Sequence, residues 1–190
     1  IHQSIISTKN GNNLFATKNE KYSADFYHYL GGLQAYSPAC MSFYAPNVNS
    51  YRRFSAAESS PINLLWGYDN RTTGFRVPDA SPDNYRIENR CPGADVNPYL
   101  SFAATLASGY LGIQHKIEPT DAFEGNAYNS DVTFPRSLPE ALDALKGSKA
   151  IKGLFGKKFI SVYTGVKNLE FEQFNQIITS WEREHLLLRV

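Results

Sequence analysis

The sequence predicts an α+β fold, an antiparallel sheet packed against helices and followed by a helical C-terminal tail. Three observations predict it. Short β-like segments cluster before residue 90, apolar residues beside them recur at helical spacing, and the stretches after residue 97 are mostly helical. With 190 residues, 42% of them hydrophobic and 14% aromatic, the chain can build one domain-sized core. No repeat, low-complexity tract or shift in composition marks a domain boundary.

Residues 1–7 read as a strand and 9–13 as an Asn/Gly turn, giving a β-hairpin that returns through Leu14, Phe15 and Ala16. Ser23 suits a helix N-cap, and Phe26, Tyr27, Leu30, Leu33 and Tyr36 give the helical stripe, with Gly31 and Gly32 as a weak spot. Pro38 is expected to open a second helix that runs to about Tyr44 and ends before Pro46. Residues 45–64 read as loop. Segments 64–70, 73–77 and 84–90 then form an antiparallel meander, separated by turn chemistry at Asp69-Asn70 and around Pro78 and Pro82.

Asn97 and Pro98 occupy N-cap and first-turn positions of a helix, and Leu100, Ala103, Ala104, Ala107 and Leu111 predict that it is buried. After a polar stretch over 118–136, Ser137 and Pro139 start a helix to about Lys146. Residues 157–188 form the last helical pattern, interrupted at Gly165.

The formal net charge of +1 excludes a polybasic nucleic-acid footprint. No run approaches the roughly 20 apolar residues of a spanning helix, so no membrane segment is expected. Cys40 and Cys91 are too few for a disulfide scaffold and lack metal-ligand spacing, which favours a reducing, cytoplasmic compartment. A chain that opens at Ile1 directly in a strand reads as part of something longer.

Six of the nine arginines fall between Arg52 and Arg90. Guanidinium forks pair bidentately with carboxylates and phosphates, so Arg53, Arg71, Arg76, Arg86 and Arg90 suit a substrate with several anionic groups, such as a triphosphate with an amino-acid dicarboxylate. Salt bridges across a sheet or an oligomer interface would use the same residues. Strand alternation puts Arg86, Glu88 and Arg90 on one face, and Tyr85, Ile87 and Asn89 on the other. A carboxylate between two arginines is held ionised, which fits a ligand of Mg²⁺ or Mn²⁺ and fits a static ion-pair ladder equally well.

Asn49-Ser50-Tyr51-Arg52-Arg53, Trp66 to Thr73 with Arg76-Val77-Pro78, Arg86-Ile87-Glu88-Asn89-Arg90 and Asn97-Pro98-Tyr99-Leu100 resemble consecutive motifs of the glutamine synthetase family. The similarity is strong over residues 1 to about 115 and weaker through the tail. The resemblance implies the C-terminal part of the catalytic domain, without the N-terminal domain and the first part of the catalytic domain. It also implies glutamate, ATP, and ammonia or a small amine as substrates, with Mg²⁺ or Mn²⁺. In that family glutamate's γ-carboxylate attacks the ATP γ-phosphate, and an amine captures the γ-glutamyl phosphate. Position by position, His2 and Ser4 match a nucleotide-contacting pair, and Arg53 and Arg90 match arginines that hold glutamate. Arg71 matches one shared between glutamate and the transferring phosphate, Arg76 and Arg86 match arginines facing ATP, and Glu88 matches a metal-ligating carboxylate. Arg71 and Arg76 are the catalytic expectation.

Phosphoryl transfer needs in-line positioning and neutralised equatorial oxygens, which suits arginines and divalent ions. The acyl phosphate must be kept from water, and the polar loop 54–61 occupies the place of a flap. In glutamine synthetases proper that flap carries a glutamate six residues after the glutamate-binding arginine, where this chain has Ser59, with Glu58 one position away. Either Glu58 substitutes through a shifted loop, or the acceptor is an amine other than ammonia, and the second is the expectation favoured here. The chain is expected to be inactive alone, and the family resemblance implies a homo-oligomeric ring, a dodecamer, for the full-length protein. A non-catalytic glutamate- or nucleotide-binding relative is the competing class, but a scaffold would have no need for Arg53, Arg71, Arg76, Arg86, Glu88 and Arg90 together.

Tyr128 aligns with a tyrosine that some family members have adenylylated, in a context without their acidic tract, and reads as an ordinary loop tyrosine. His28, His115 and His185 have no zinc-like spacing. Cys40 reads as core, and Cys91 as a neighbour of the Arg90 site. Tyr27, Phe43, Tyr44 and Phe102 read as packing residues.

Overall fold

The computed structural model describes residues 1–19, 21–54, 60–131 and 133–188. Four short strands, β1 (His2–Gln3), β2 (Trp66–Tyr68), β3 (Phe75–Val77) and β4 (Ile87–Asn89), form one sheet in the order β1-β4-β3-β2. β4 is antiparallel to both β1 and β3, but β2 and β3 run parallel, so the expected meander is a mixed sheet. Strand length explains this. A three-residue strand covers only about 10 Å, and the short 69–74 connection can return that far. Asp69 turns the chain with φ 48°, and the Asn70 side-chain oxygen accepts from Thr72 N at 3.0 Å and Thr72 Oγ1 at 2.7 Å. The N-terminal hairpin is reduced to a bridge between Ile6 and Asn13, supported by the bond from Leu14 N to Ile5 O at 2.7 Å.

Helix α1 (Ala24–Tyr44) is capped by Ser23, which accepts from Phe26 N, and it runs unbroken through Pro38. The two expected helices are therefore one. The lost backbone bond and the clash of the proline ring with the preceding turn together cost about 3 kcal/mol, and burial of Leu30, Leu33, Cys40, Met41, Phe43 and Tyr44 on either side outweighs it. The predicted weak spot at Gly31-Gly32 is a packing contact instead. A methyl group at Gly32 would overlap the Ser108 carbonyl and Gly112 of α2 (Pro98–His115), and one at Gly112 would overlap the His28 carbonyl. Backbone meets backbone there because neither residue has a side chain.

Asn97 caps α2 as expected, but only one face of the helix is buried. Ala104, Ala107 and Leu111 pack inward, while Ala103, Tyr99, Phe102, Leu106 and Tyr110 are exposed. Phe102 is thus a surface residue, whereas Phe43 and Tyr44 are core. A buried polar chain ties sheet to helices: Asn89 Nδ2 donates to Thr105 Oγ1 at 3.2 Å, which donates to the Tyr44 hydroxyl at 3.1 Å.

The loop after α1 contains a 3₁₀ turn over Val48–Arg53. Helix α3 (Leu138–Gly147), capped by Ser137, packs on α1 through Leu138, Ala141, Leu142 and Leu145. The tail is α4 (Lys149–Phe155), α5 (Lys157–Asn175) and α6 (Ser180–His185). Gly165 lies inside α5. The breaks fall at Gly156, where φ is 87°, and before Thr179, whose capping box with Glu182 starts α6. His28 has a partner, Glu118 at 2.9 Å.

Candidate active site

The sheet register assembles the first group of predicted residues. His2 and Arg76 are both registered opposite Glu88, one from each neighbouring strand. Their side chains meet there: Arg76 Nη1 donates to Glu88 Oε2 at 2.9 Å, and His2 Nε2 and Arg90 Nε lie 3.9 and 4.0 Å from Glu88 Oε1. Arg76 also pairs with Asp69, and these carboxylates raise its pKa above the ordinary arginine value. Predicted alternation holds, with Ile87 and Asn89 fully buried beneath the Glu88 row.

Arg53 is reached from another direction. It ends the 3₁₀ turn, beyond the C-terminus of α1, where carbonyls present partial negative charge. Its Nη2 donates to the Tyr44 carbonyl at 3.4 Å and to the Cys91 carbonyl, Nη1 donates to Ser60 Oγ at 3.2 Å, and its Cζ sits 4.1 Å from the Phe54 ring centre. Among the described residues no carboxylate lies within 4 Å of it. Its Nε is buried without a hydrogen-bond partner, and burial lowers its pKa.

Arg53, Ser60, Glu88, Asn89, Arg90 and Gly93 share a cavity of about 350 Å³. A second cavity, of about 390 Å³, is lined by His2, Gln3 and Ser4 with Phe102, Thr105 and Leu106 of α2. Arg90 Nη1 donates to the carbonyls of Arg71 and Thr73. Arg71 itself is exposed on the 69–74 connection and contributes only this carbonyl, so its side chain is not brought into the first cavity. Arg86 donates to the Asn84 carbonyl at 3.1 Å. Glu58 and Ser59 lie outside the described residues.

No group of three His, Cys, Asp or Glu side chains gathers among the described residues. Glu88 is a single carboxylate whose Oε1 is beyond hydrogen-bond length of His2 and Arg90. That donor set fits a Mg²⁺ ion held by one or two carboxylates together with substrate phosphates, not a cage built by this chain alone.

Two residues were not singled out in the sequence. Asp69 was read only as turn chemistry, and Asp95 sits in a Pro-Gly-Ala-Asp loop that carries no strand or helix signal. Cys91 is fully buried, with its thiol pushed up to about 12 by burial, so it is core and not an accessible neighbour of the site. Tyr128 is half-buried in a single 3₁₀ turn.

Residues 1–186 match the family described as glutamine synthetase, catalytic domain. The chain is 38% identical over 160 residues to a glutamate–isopropylamine ligase from a Pseudomonas species, covering 82% of this chain and 35% of that protein. It is 35% identical over 195 residues to the glutamine synthetase of Pyrococcus abyssi, covering 98% of this chain and 43% of that one. The solved GmaS/ADP complex superposes with a TM-score of 0.87 at 31% identity, over 98% of this chain and 45% of that one. The chain spans less than half the length of these relatives. The match reaches into the tail, past the region where the sequence motifs were dense. By that match, and by a fold shared over nearly its whole length, the chain belongs to the glutamine synthetase family, within its catalytic domain.

Proposed function

We propose that the whole protein is an ATP- and divalent-metal-dependent glutamate–amine ligase, and that these 190 residues carry the arginine-rich side of its active site. The observation that carries the reading is Arg53, a half-buried guanidinium that among the described residues hydrogen-bonds only neutral oxygens, facing a cavity shared with Arg90 and Glu88. Burying an unpaired charge is costly, and a carboxylate ligand relieves the cost. Arg53 and Arg90 hold the glutamate. His2, Ser4, Arg76 and Arg86 serve the nucleotide, and the family resemblance assigns Arg71 and Arg76 to the transferring phosphate.

Glu88 would hold the metal, which supplies charge neutralisation at the phosphates when bound. Chemically, the γ-carboxylate of glutamate attacks the γ-phosphorus, ADP leaves, and an amine displaces phosphate from the γ-glutamyl phosphate. The guanidiniums orient the reactants and offset the charge of the phosphate oxygens. Ser59, where ammonia-using relatives place a carboxylate, supports an acceptor amine larger than ammonia. The exposed apolar residues of α5 and α6, among them Val166, Leu169 and Trp181, support assembly into a homo-oligomeric ring.

Glutamate-dependent ADP release by the whole protein tests both levels. Methylamine, ethanolamine, isopropylamine or putrescine is expected to exceed ammonia in kcat/KM. Ammonia as the best acceptor overturns the amine assignment, and no glutamate-dependent release overturns the ligase. The 190-residue chain by itself is expected to give no turnover.

A further inference from the structure

Arg53 is held in place by a hydrogen-bond network centred on Asp95, a residue that does not line the cavity shared by Arg53, Glu88 and Arg90. The 3₁₀ turn that ends in Arg53 begins at Asn47, whose backbone N–H donates to Ser50 Oγ at 2.9 Å. Ser50 Oγ donates in turn to Asp95 Oδ2 at 2.5 Å, and Asn47 Nδ2 donates to the same oxygen at 3.1 Å. One carboxylate therefore fixes the start of the turn to the 92–95 loop. The same loop is fixed to α1 by Gly93 N, which donates to the Tyr44 carbonyl at 3.0 Å, the carbonyl that also accepts from Arg53.

Gly93 sits between the two charges. A Cβ built there would lie 2.5 Å from Asp95 Oδ1 on one side and 3.1 Å from Arg53 Nε on the other. Burial opposes ionisation of Asp95, yet the bonds from Ser50 and Asn47, with Arg53 behind them, bring its carboxyl below the usual carboxylate range.

We propose that Asp95 is a positioning residue for Arg53, clamping the turn and the 92–95 loop so that the guanidinium faces the cavity. Gly93 acts as the spacer between the acid and Arg53, and the cation stays available to a substrate carboxylate. This rests on the reading of Arg53 as the glutamate-binding cation.

The test uses the whole protein with Arg53→Ala, Asp95→Ala, Asp95→Asn and the Arg53→Ala/Asp95→Ala double variant, measuring KM for glutamate and for ATP separately. Asp95→Ala is expected to raise the glutamate KM roughly tenfold, the scale of a hydrogen bond to a charged group. The ATP KM should stay within about twofold, the margin expected of an independent site. Asp95→Asn keeps an accepting oxygen for Ser50 and should fall between Asp95→Ala and wild type. If Asp95→Ala does not fold, Asp95→Asn carries the same comparison.

In the Arg53→Ala background, loss of Asp95 should add less than about twofold. Equal effects on both substrates, or a full additional effect in that background, overturns the positioning role while leaving Arg53 as the glutamate cation. An unchanged glutamate KM in Arg53→Ala overturns the reading of Arg53 itself.

Discussion

Arg53 and Arg76 approach the Glu88 region from two parts of the fold and are held in opposite ways. Arg53, at the end of a 3₁₀ turn, has the Tyr44 and Cys91 carbonyls and the Ser60 hydroxyl around it, all neutral. Arg76, on a central strand, is clamped between Glu88 and Asp69. The same side chain is therefore prepared in two ways. A guanidinium among neutral dipoles is stabilised by an incoming anion, whereas one already ion-paired on two sides is fixed in place and must exchange a partner before it binds a phosphate.

The largest effect is expected at Arg53. Arg53→Ala is expected to weaken glutamate binding by roughly 100-fold, the scale of losing one member of a buried charge pair, read as KM in the whole protein. Next in size is the close crossing of α1 and α2 at Gly32 and Gly112. Gly112→Val overfills the contact with the His28 carbonyl and Gly32, and should cost about 1–3 kcal/mol in denaturant unfolding. A smaller effect belongs to Arg76. Arg76→Gln should lower stability by about 1 kcal/mol in low salt and by less in high salt, because Asp69 is exposed.

An effect that is absent at neutral pH concerns the cysteines. Burial pushes both the Cys91 and Cys40 thiols up to about 12 from 9.0. As pH rises past 9.0 the unfolded thiols lose their protons while the folded ones keep them, so stability should fall between those values and be unaffected below them. A thiol reagent at pH 8 should label neither cysteine until the protein is unfolded.

Caps and alternation were legible because they are local. Ser23, Asn97 and Ser137 cap the helices expected of them, and the 86–90 alternation placed Glu88 on the open face with Ile87 and Asn89 beneath. Errors arose where a distant contact reverses a local rule. Pro38 and Gly31-Gly32 read as breaks, yet core burial carries the helix through one and the approach of α2 requires the other. The parallel β2–β3 pair was hidden because three-residue strands return through a connection too short for an ordinary crossover.

At the site, the residues were readable one by one, but their pairing was not. Nothing in the spacing distinguishes Arg53, which among the described residues has no ion-paired carboxylate, from Arg76, which has two. Asp95 was missed because its role depends on a turn more than forty residues earlier in the chain, joined to it only by folding.

In the proposed ligase, Arg53 is the cation that takes the substrate's carboxylate. A crystal structure of the whole protein with glutamate bound tests this assignment. A glutamate carboxylate oxygen is expected within hydrogen-bond distance of the Arg53 guanidinium. Glutamate bound elsewhere, with Arg53 still bonded only to Tyr44, Cys91 and Ser60, would contradict it.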